Sequence, residues 1–182
     1  MTNLWTSGTK KAFYGFLTAN LVAVILSAFG LAIAAIPFLG TVLDLVVVAA
    51  YVFFILGIVA MKKSATGTSV GAATHRLFIG AILLAVGALV EVLPVISMIS
   101  WIVTLAAFIV MWTGYAMLKN DAADEKAQYA GKKLALSALL SAIATVVDFI
   151  PVIGWIAEPV LLIIAFIFAF QGWKALANSE LK

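Results

Sequence analysis

Three long stretches of this sequence carry almost no charge, and each lies between clusters of basic residues. They cover residues 12–61, 77–118 and 134–173 and contain one, one and two charged side chains. A helix rises about 1.5 Å per residue, and the hydrocarbon core of a bilayer is about 30 Å thick. Because each stretch has 40 to 50 residues, each is too long to cross once and is predicted to cross twice.

The composition excludes a soluble protein. Hydrophobic residues make up 65% of the chain and charged residues 10%, whereas soluble domains are about 45–50% apolar and about 25% charged. The chain has no cysteine, and His75 is its one histidine, which excludes thiolate and histidine-rich metal sites. It also shows no phosphate-binding loop or catalytic triad. We therefore expect an integral membrane protein that is not an enzyme and has no catalytic residue, cofactor or nucleic-acid partner.

A proline near the middle of each stretch predicts a turn. The three sequences are IPFLG, LPVIS and IPVIG, and their prolines are Pro37, Pro94 and Pro151. Proline lacks an amide N–H and disfavours the helical conformation in the residue before it. The predicted fold is therefore all-α, with six transmembrane helices arranged as three tandem hairpins in one membrane domain, residues 1–182.

The predicted boundaries follow from these turns and from the basic clusters. Predicted helices cover residues 12–36, 41–61, 75–93, 98–119, 132–150 and 157–176. The corresponding repeats are 12–61, 75–118 and 132–176, with cytoplasmic connectors at 62–74 and 119–131.

The charges predict the orientation of the chain in the membrane. All 11 Lys and Arg lie at the open ends of the predicted hairpins, which we call the base. Four acids also lie at the base, so its net charge is +7. The four remaining acids lie at the proline ends, which we call the tips, and give them a net charge of −4. The positive-inside rule places the base and both termini in the cytoplasm. We expect the bacterial inner (plasma) membrane, with Tyr115 and Trp173 at its base-side interface.

The three hairpins share a spacing that predicts a pseudo-threefold repeat. Their prolines are 57 residues apart, small residues recur at intervals of seven before them, and a glycine follows them after 20, 20 and 21 residues. Small residues on one helix face allow close packing in membranes, and the alternative is that they line a narrow pathway. The predicted helix-packing residues are Gly30, Gly57, Gly80, Gly87, Gly114 and Ala144.

This spacing resembles the short repeat of the HdeD family of bacterial acid-resistance membrane proteins. The best match is Gly80, Gly87, Pro94 and Gly114, while the first hairpin has an alanine at the first of these positions. Members of the family are built from repeated two-helix units. The resemblance implies an inner-membrane protein with a role in stress tolerance and without an established chemistry.

Four acids on the tip side are the candidate functional residues. They are Asp44, Glu91, Asp148 and Glu158. Asp44 fits a capping box that begins at Thr41, and Glu158 precedes a proline predicted to be the first residue of a helix. Helix electrostatics does not explain Glu91 and Asp148, which lie in the last turn of their helices, where the helix dipole disfavours a negative charge. One interpretation is that the acids are solvated at the outer membrane surface and stabilise the turns. The alternative is that they form an outer mouth that admits cations or senses pH.

The sequence leads to two functional hypotheses. The first is a non-enzymatic stress-tolerance protein that acts through membrane integrity or through association with partners. The alternative is a small channel or transporter for a proton, a cation or a small solute. The expected partners are the lipid bilayer and either another membrane protein or further copies of the chain. Within the first helix, Asn20 is predicted to hydrogen-bond to a neighbouring helix.

Overall fold

The described part of the protein is entirely helical. The computed structural model describes residues 2–34, 36, 38–91, 97–147, 150 and 153–181. Within these ranges there are six helices, which confirms the predicted all-α class. They are α1 (Thr2–Ala34), α2 (Leu39–Ala65), α3 (Gly71–Glu91), α4 (Ser97–Asp121), α5 (Glu125–Val147) and α6 (Ile153–Ala177).

The helices extend further towards the base than the sequence predicts. α1 begins at Thr2 and includes Lys10 and Lys11, which were expected to precede it. α5 begins at Glu125, so the connector predicted at 119–131 is reduced to residues 122–124. Asp124 caps α5, because its Oδ1 accepts hydrogen bonds from the amides of Lys126 at 2.8 Å and Ala127 at 3.1 Å. Charged residues end a hydrophobic span, but they do not end a helix.

The predicted starts of two tip-side helices are wrong. α2 begins at Leu39, two residues before the predicted capping residue Thr41. The residue at its N-cap is Phe38, which has φ 65° and makes no side-chain capping hydrogen bond. α6 begins at Ile153, so Pro159 lies inside the helix instead of at its first position. The amide of Gly154 already donates to the carbonyl of Ile150 at 2.7 Å. Unpaired backbone groups are costly in a bilayer, and this favours resuming the helix as soon as the turn allows.

The six helices form a closed ring. Each helix packs against those that precede and follow it in the chain, and α6 also packs against α1. The contacts are extensive within the pairs α1–α2, α3–α4 and α5–α6 and between α4 and α5, and more limited at the α2–α3 and α6–α1 seams. Among the described residues no two helices on opposite sides of the ring bring their backbones close together. The ring therefore surrounds a central space to which all six helices have access.

The outer surface identifies a membrane-embedded protein. Within the part of the chain that the structure describes, four segments are long and apolar enough to cross a bilayer: Leu45–Ala65, Ile99–Asp121, Glu125–Val147 and Ile156–Ala177. Large apolar side chains cover the outside, including Leu45 at 63%, Ile156 at 71% and Ile163 at 61% exposure. A soluble monomer rarely exposes a contiguous apolar surface larger than a few hundred Å². Lipid is the solvent in which such a surface is stable.

Hydrogen bonds tie the base ends of the helices together. Trp5 Nε1 donates to Ser179 Oγ at 3.1 Å, which connects the start of α1 to the segment after α6. Ser69 Oγ donates to the carbonyl of Asp121 at 2.7 Å. The Glu180 amide donates to Asp124 Oδ2 at 3.3 Å. The base-side ends of the helices, where the described basic residues lie, are therefore at one end of the ring.

Candidate functional site

Glycines bring the backbones of paired helices into direct contact. A Cβ on Gly57 of α2 would overlap the backbone nitrogen of Ala12 and lie 2.7 Å from the carbonyl oxygen of Gly8. A Cβ on Gly15 of α1 would lie 2.6 Å from the backbone nitrogen of Phe54. The helices α1 and α2 can approach this closely only because neither carries a side chain at the contact.

The other predicted packing residues occupy comparable places where they are described. A Cβ on Gly80 would overlap the Met111 side chain, and one on Gly87 would lie 2.7 Å from Thr104 Oγ1. Gly114 faces Ala73 and Leu77 of α3. The remaining two are Ala144, which is buried in α5, and Gly30, whose surroundings in α1 lie outside what the structure describes.

Close packing around the ring leaves a cavity at its centre. The cavity has a volume of about 480 Å³, within the range of about 300–1,000 Å³ typical of small-molecule sites. Every helix contributes to its wall. Representative lining residues are Phe16 (α1), Phe54 (α2), Leu84 (α3), Phe108 (α4), Ala138 (α5) and Phe166 (α6).

Three aromatic residues form the floor of the cavity on the base side. The Trp173 ring meets the Phe54 ring edge-on, with centroids 5.5 Å apart and an interplanar angle of 83°. It meets the Tyr115 ring in the same way at 6.1 Å and 84°. Such T-shaped pairs place the positive edge of one ring against the negative face of another. Nearer the base, Met61, Leu118 and Leu176 are all 0% exposed, so the space is closed towards the charged ends.

Stacked rings close the narrow seam between α1 and α6. The Phe16 and Phe166 rings are stacked with centroids 5.8 Å apart and 21° between their planes. Phe13 and Phe170 pack at the same centroid distance, one turn closer to the base. Both pairs compensate for the limited backbone contact at this seam, and Phe16 and Phe166 also line the cavity.

Three largely buried residues of the cavity wall carry polar groups that have no hydrogen-bonding partner in the described part of the chain. Tyr115, Trp173 and Ser137 line the cavity and are 3%, 2% and 9% exposed. Within the described residues, the Tyr115 hydroxyl, Trp173 Nε1 and Ser137 Oγ make no hydrogen bond. Every fully buried side-chain polar atom in this part of the chain has a partner, so these three atoms are still accessible. These groups therefore face the cavity and not the packed interior.

Asn20 adds a fourth polar group higher on the wall. Its Nδ2 donates to the carbonyl of Phe16 at 2.8 Å, so the predicted hydrogen bond to a neighbouring helix is wrong. An amide near the middle of α1 can satisfy its donor on the carbonyl four residues earlier. Its own carbonyl oxygen has no partner in the part of the chain that the structure describes, and Asn20 lines the cavity.

The cavity wall carries no acid among its described residues. Glu158 is half-buried in α6, Asp44 lies in the second turn of α2, and Glu91 is the last residue of α3. The side chains of Asp44 and Glu91 lie outside the described part, as does Asp148. So do the turn residues Pro37, Pro94 and Pro151. Whether these acids meet at an outer mouth stays a prediction.

Neither a protein-family model, nor a curated protein, nor a solved structure matches this chain. The site therefore has to be interpreted from its own geometry. Among the described residues, no group of three or more His, Asp or Glu side chains is placed to hold a metal ion. The arrangement offers an uncharged, aromatic-rich space with a few hydrogen-bonding groups on its wall.

Sequence reasoning placed the floor residues in the wrong environment. Tyr115 and Trp173 were predicted at the membrane interface, where such rings are enriched, but both are buried inside the ring. The spacing of the repeat contains the missing signal. Ile58, Tyr115 and Trp173 are 57 and 58 residues apart, so the predicted repeat makes their positions equivalent, and the apolar Ile58 then indicates an interior position for all three.

Proposed function

We propose that the protein is a non-enzymatic, six-span membrane protein of the bacterial inner membrane that acts in stress tolerance. The observation that carries the proposal is the closed ring of six helices around an uncharged, mainly apolar cavity. Such a ring buries its polar groups inwards and presents lipid with an apolar outer face. The HdeD resemblance supplies the stress role, through membrane integrity or association with a partner.

Equivalent positions support three tandem hairpins related by a pseudo-threefold axis along the membrane normal. Met61, Leu118 and Leu176 are 57 and 58 residues apart, and all three are fully buried below the cavity floor. Matching burial at matching spacing is what a repeated two-helix unit produces. The repeat also makes α1 and α3 equivalent to α5, which is one of the four segments long and apolar enough to span.

Orientation can be tested by labelling single cysteines, since the natural chain has none. Suitable exposed sites are Phe38→Cys and Ile150→Cys at the tips, and Thr66→Cys and Ala123→Cys at the base. A membrane-impermeant maleimide should label the tip sites in intact cells and the base sites only after permeabilisation. Labelling of positions 66 and 123 from opposite sides would overturn the six-span topology.

The stress role is tested by growth of a deletion strain. We expect poorer survival than the parent strain after a shift to low external pH, restored by the intact gene. The same strain at neutral pH is the control. Equal survival of the deletion and parent strains at every pH would contradict the proposed role.

The cavity chemistry favours this function over a channel or transporter. A transport pathway near the bilayer midplane is usually lined by polar side chains or broken helices, whereas the described lining holds no charged residue.

Proton flux into liposomes separates the two hypotheses. We expect no flux above that of protein-free liposomes, and no change in Glu91→Gln with Asp148→Asn. A flux that these substitutions abolish would establish the acids as part of a pathway.

A further inference from the structure

We infer that the central cavity binds one neutral lipophile from the bilayer, a molecule with an apolar body and a carbonyl or hydroxyl oxygen. This goes beyond the proposed function, which requires no ligand. The inference starts from the size of the space. Protein interiors are packed to crystal-like density and contain few voids larger than a water molecule. A cavity of about 480 Å³ at the centre of a packed ring is therefore a feature that the fold maintains.

The buried polar groups indicate what part of the ligand is recognised. The Tyr115 hydroxyl, Trp173 Nε1 and Ser137 Oγ face the cavity from residues at least nine-tenths buried, and none has a partner among the described residues. Buried polar groups in native proteins almost always have one. An indole N–H can only donate, and both hydroxyls are able to donate. The group that all three can bind is an oxygen acceptor.

The absence of charge in the described lining selects a neutral ligand. No lysine, arginine or histidine is among the residues that line the cavity. A carboxylate or phosphate would lose its hydration without gaining a counter-charge, which is strongly unfavourable. An uncharged carbonyl or hydroxyl loses far less hydration, and the three polar groups replace the hydrogen bonds it gives up.

The rest of the wall fits an apolar body and argues against water alone. Phe16, Phe108 and Phe166 contribute ring faces, and Leu84 and Leu162 contribute aliphatic surface. Apolar cavities stay dry unless polar groups hold the water; polar side chains are a minority of this lining, and the rest is aromatic, aliphatic or glycine. A molecule with one polar end and a longer apolar part satisfies both regions at once.

The test uses three chain-matched probes: dodecan-1-ol, dodecane and dodecanoate. Binding of each radiolabelled probe is measured by scintillation proximity on the full-length protein in bilayer nanodiscs, with empty nanodiscs subtracted. We expect saturable binding of dodecan-1-ol at one molecule per protein. Dodecane, which lacks the oxygen, should bind about tenfold more weakly, the loss expected for one missing hydrogen bond. Ionised dodecanoate should also bind more weakly than the alcohol, because its charge loses hydration without gaining a counter-charge.

Two variants remove the polar groups and keep the shape of the cavity. Tyr115→Phe and Ser137→Ala should each weaken dodecan-1-ol binding about tenfold and leave dodecane binding unchanged. Tyr129→Phe, which removes a hydroxyl from an exposed residue of α5, is the matched control and should bind like the parent protein. Because a purely structural role for Tyr115 would affect all probes alike, the contrast between alcohol and alkane identifies recognition.

A filling variant tests occupancy of the space itself. Ala165 lines the cavity and is 3% exposed, so Ala165→Phe should abolish binding of dodecan-1-ol. Ala138→Leu is the milder substitution if the first variant does not fold. The inference is overturned by any of three results: no saturable dodecan-1-ol binding, as for a water-filled cavity; unchanged binding in Tyr115→Phe and Ser137→Ala; or dodecanoate binding as tightly as the alcohol.

Discussion

Trp173 is a central packing residue on the floor of the cavity. Its side chain is 2% exposed, it forms the cavity floor, and it meets Phe54 of α2 and Tyr115 of α4 edge-on. One side chain thus joins three of the six helices. Its indole also exposes a polar edge to the cavity, so the same residue is a packing element and a recognition element.

Truncation of this side chain should be strongly destabilising. We expect Trp173→Ala to lower the free energy of unfolding by about 3–5 kcal/mol, as for other large aromatic residues in a core. The measurement is reversible unfolding in mixed micelles with increasing dodecyl sulfate. Trp112→Ala is the matched control, because Trp112 is 41% exposed on the same bundle. Equal losses in the two variants would show that the ring interior is not the source of stability.

The glycine at the α1–α2 contact should not tolerate even one additional carbon. A Cβ at Gly57 meets backbone atoms of Ala12 and Gly8, which cannot rotate away as a side chain could. We expect Gly57→Ala to destabilise the protein by about 1–3 kcal/mol, although alanine is the better helix former.

The control for this substitution lies on the same helix. Ala49 of α2 is exposed, so Ala49→Val adds bulk where only lipid is met and should change the unfolding free energy little. Both variants are compared by thermal unfolding followed by circular dichroism in detergent. A Gly57→Ala protein as stable as its parent would mean that the two helices are further apart than described.

At the scale of the elements, the connector between α4 and α5 shows how a short turn is stabilised. Only residues 122–124 separate the two helices. Asp124 Oδ1 caps the first turn of α5, and Oδ2 accepts the amide of Glu180. Gln128 Nε2 donates to the carbonyl of Ala122 at 2.8 Å. The turn therefore satisfies both helix ends and also fastens the segment after α6.

Loss of the cap should measurably weaken α5. We expect Asp124→Ala to reduce stability by about 1 kcal/mol, the usual effect of removing an N-cap side chain. Asp121→Ala is the control, since Asp121 is exposed and only its backbone carbonyl is used by Ser69. Hydrogen exchange of the amides of residues 126 and 127 reports the effect locally. Unaltered exchange in Asp124→Ala would contradict the capping role.

The elements themselves were largely predictable, and the reason is physical. Length and charge decide how often an apolar stretch can cross a bilayer, so the number and order of the helices follow from the sequence. Boundaries are less predictable, because a helix such as α1 continues beyond the apolar stretch as far as Thr2. Pro159 was misplaced for a related reason: proline restricts a helix, but neighbouring contacts in a membrane protein can accommodate it.

The site could not be predicted, because it depends on which helix faces converge. The sequence shows that Tyr115 and Trp173 are aromatic residues near the basic clusters, and both an interface and a core fit that description. Their equivalence with Ile58 favours the core, but the volume left at the centre depends on the ring geometry. The four acids attracted attention as charges in an apolar chain, whereas the described cavity is built from uncharged groups.

At the scale of the whole molecule, closure of the ring makes a direct prediction about cross-linking. Phe16 and Phe166 lie face to face across the α1–α6 seam. The cysteine pair Phe16→Cys with Phe166→Cys should therefore be joined by a short bis-methanethiosulfonate cross-linker, with no native thiol to compete. A protease site inserted at residues 122–124 provides the readout, because the two halves of the chain stay joined only when the cross-link has formed.

A pair on opposite sides of the ring is the control. Leu84 of α3 and Ala165 of α6 both line the cavity and lie in different halves of the cleaved chain, yet their helices make no close backbone contact in the described part of the chain. We expect Leu84→Cys with Ala165→Cys to give separate halves after proteolysis. Efficient cross-linking of both pairs would indicate a collapsed bundle instead of a ring.

The order of helices around the ring has a consequence for biosynthesis. Since each helix packs beside its predecessor, nearly every interface can form as soon as the next segment leaves the ribosome and enters the bilayer. Chains whose contacts are local in sequence assemble quickly, and membrane helices insert before they associate. Only the α6–α1 seam must wait for the last helix. A nascent chain halted after α5 would therefore hold an almost finished wall with one gap facing lipid, through which a membrane-borne molecule could enter before the final helix closes it in.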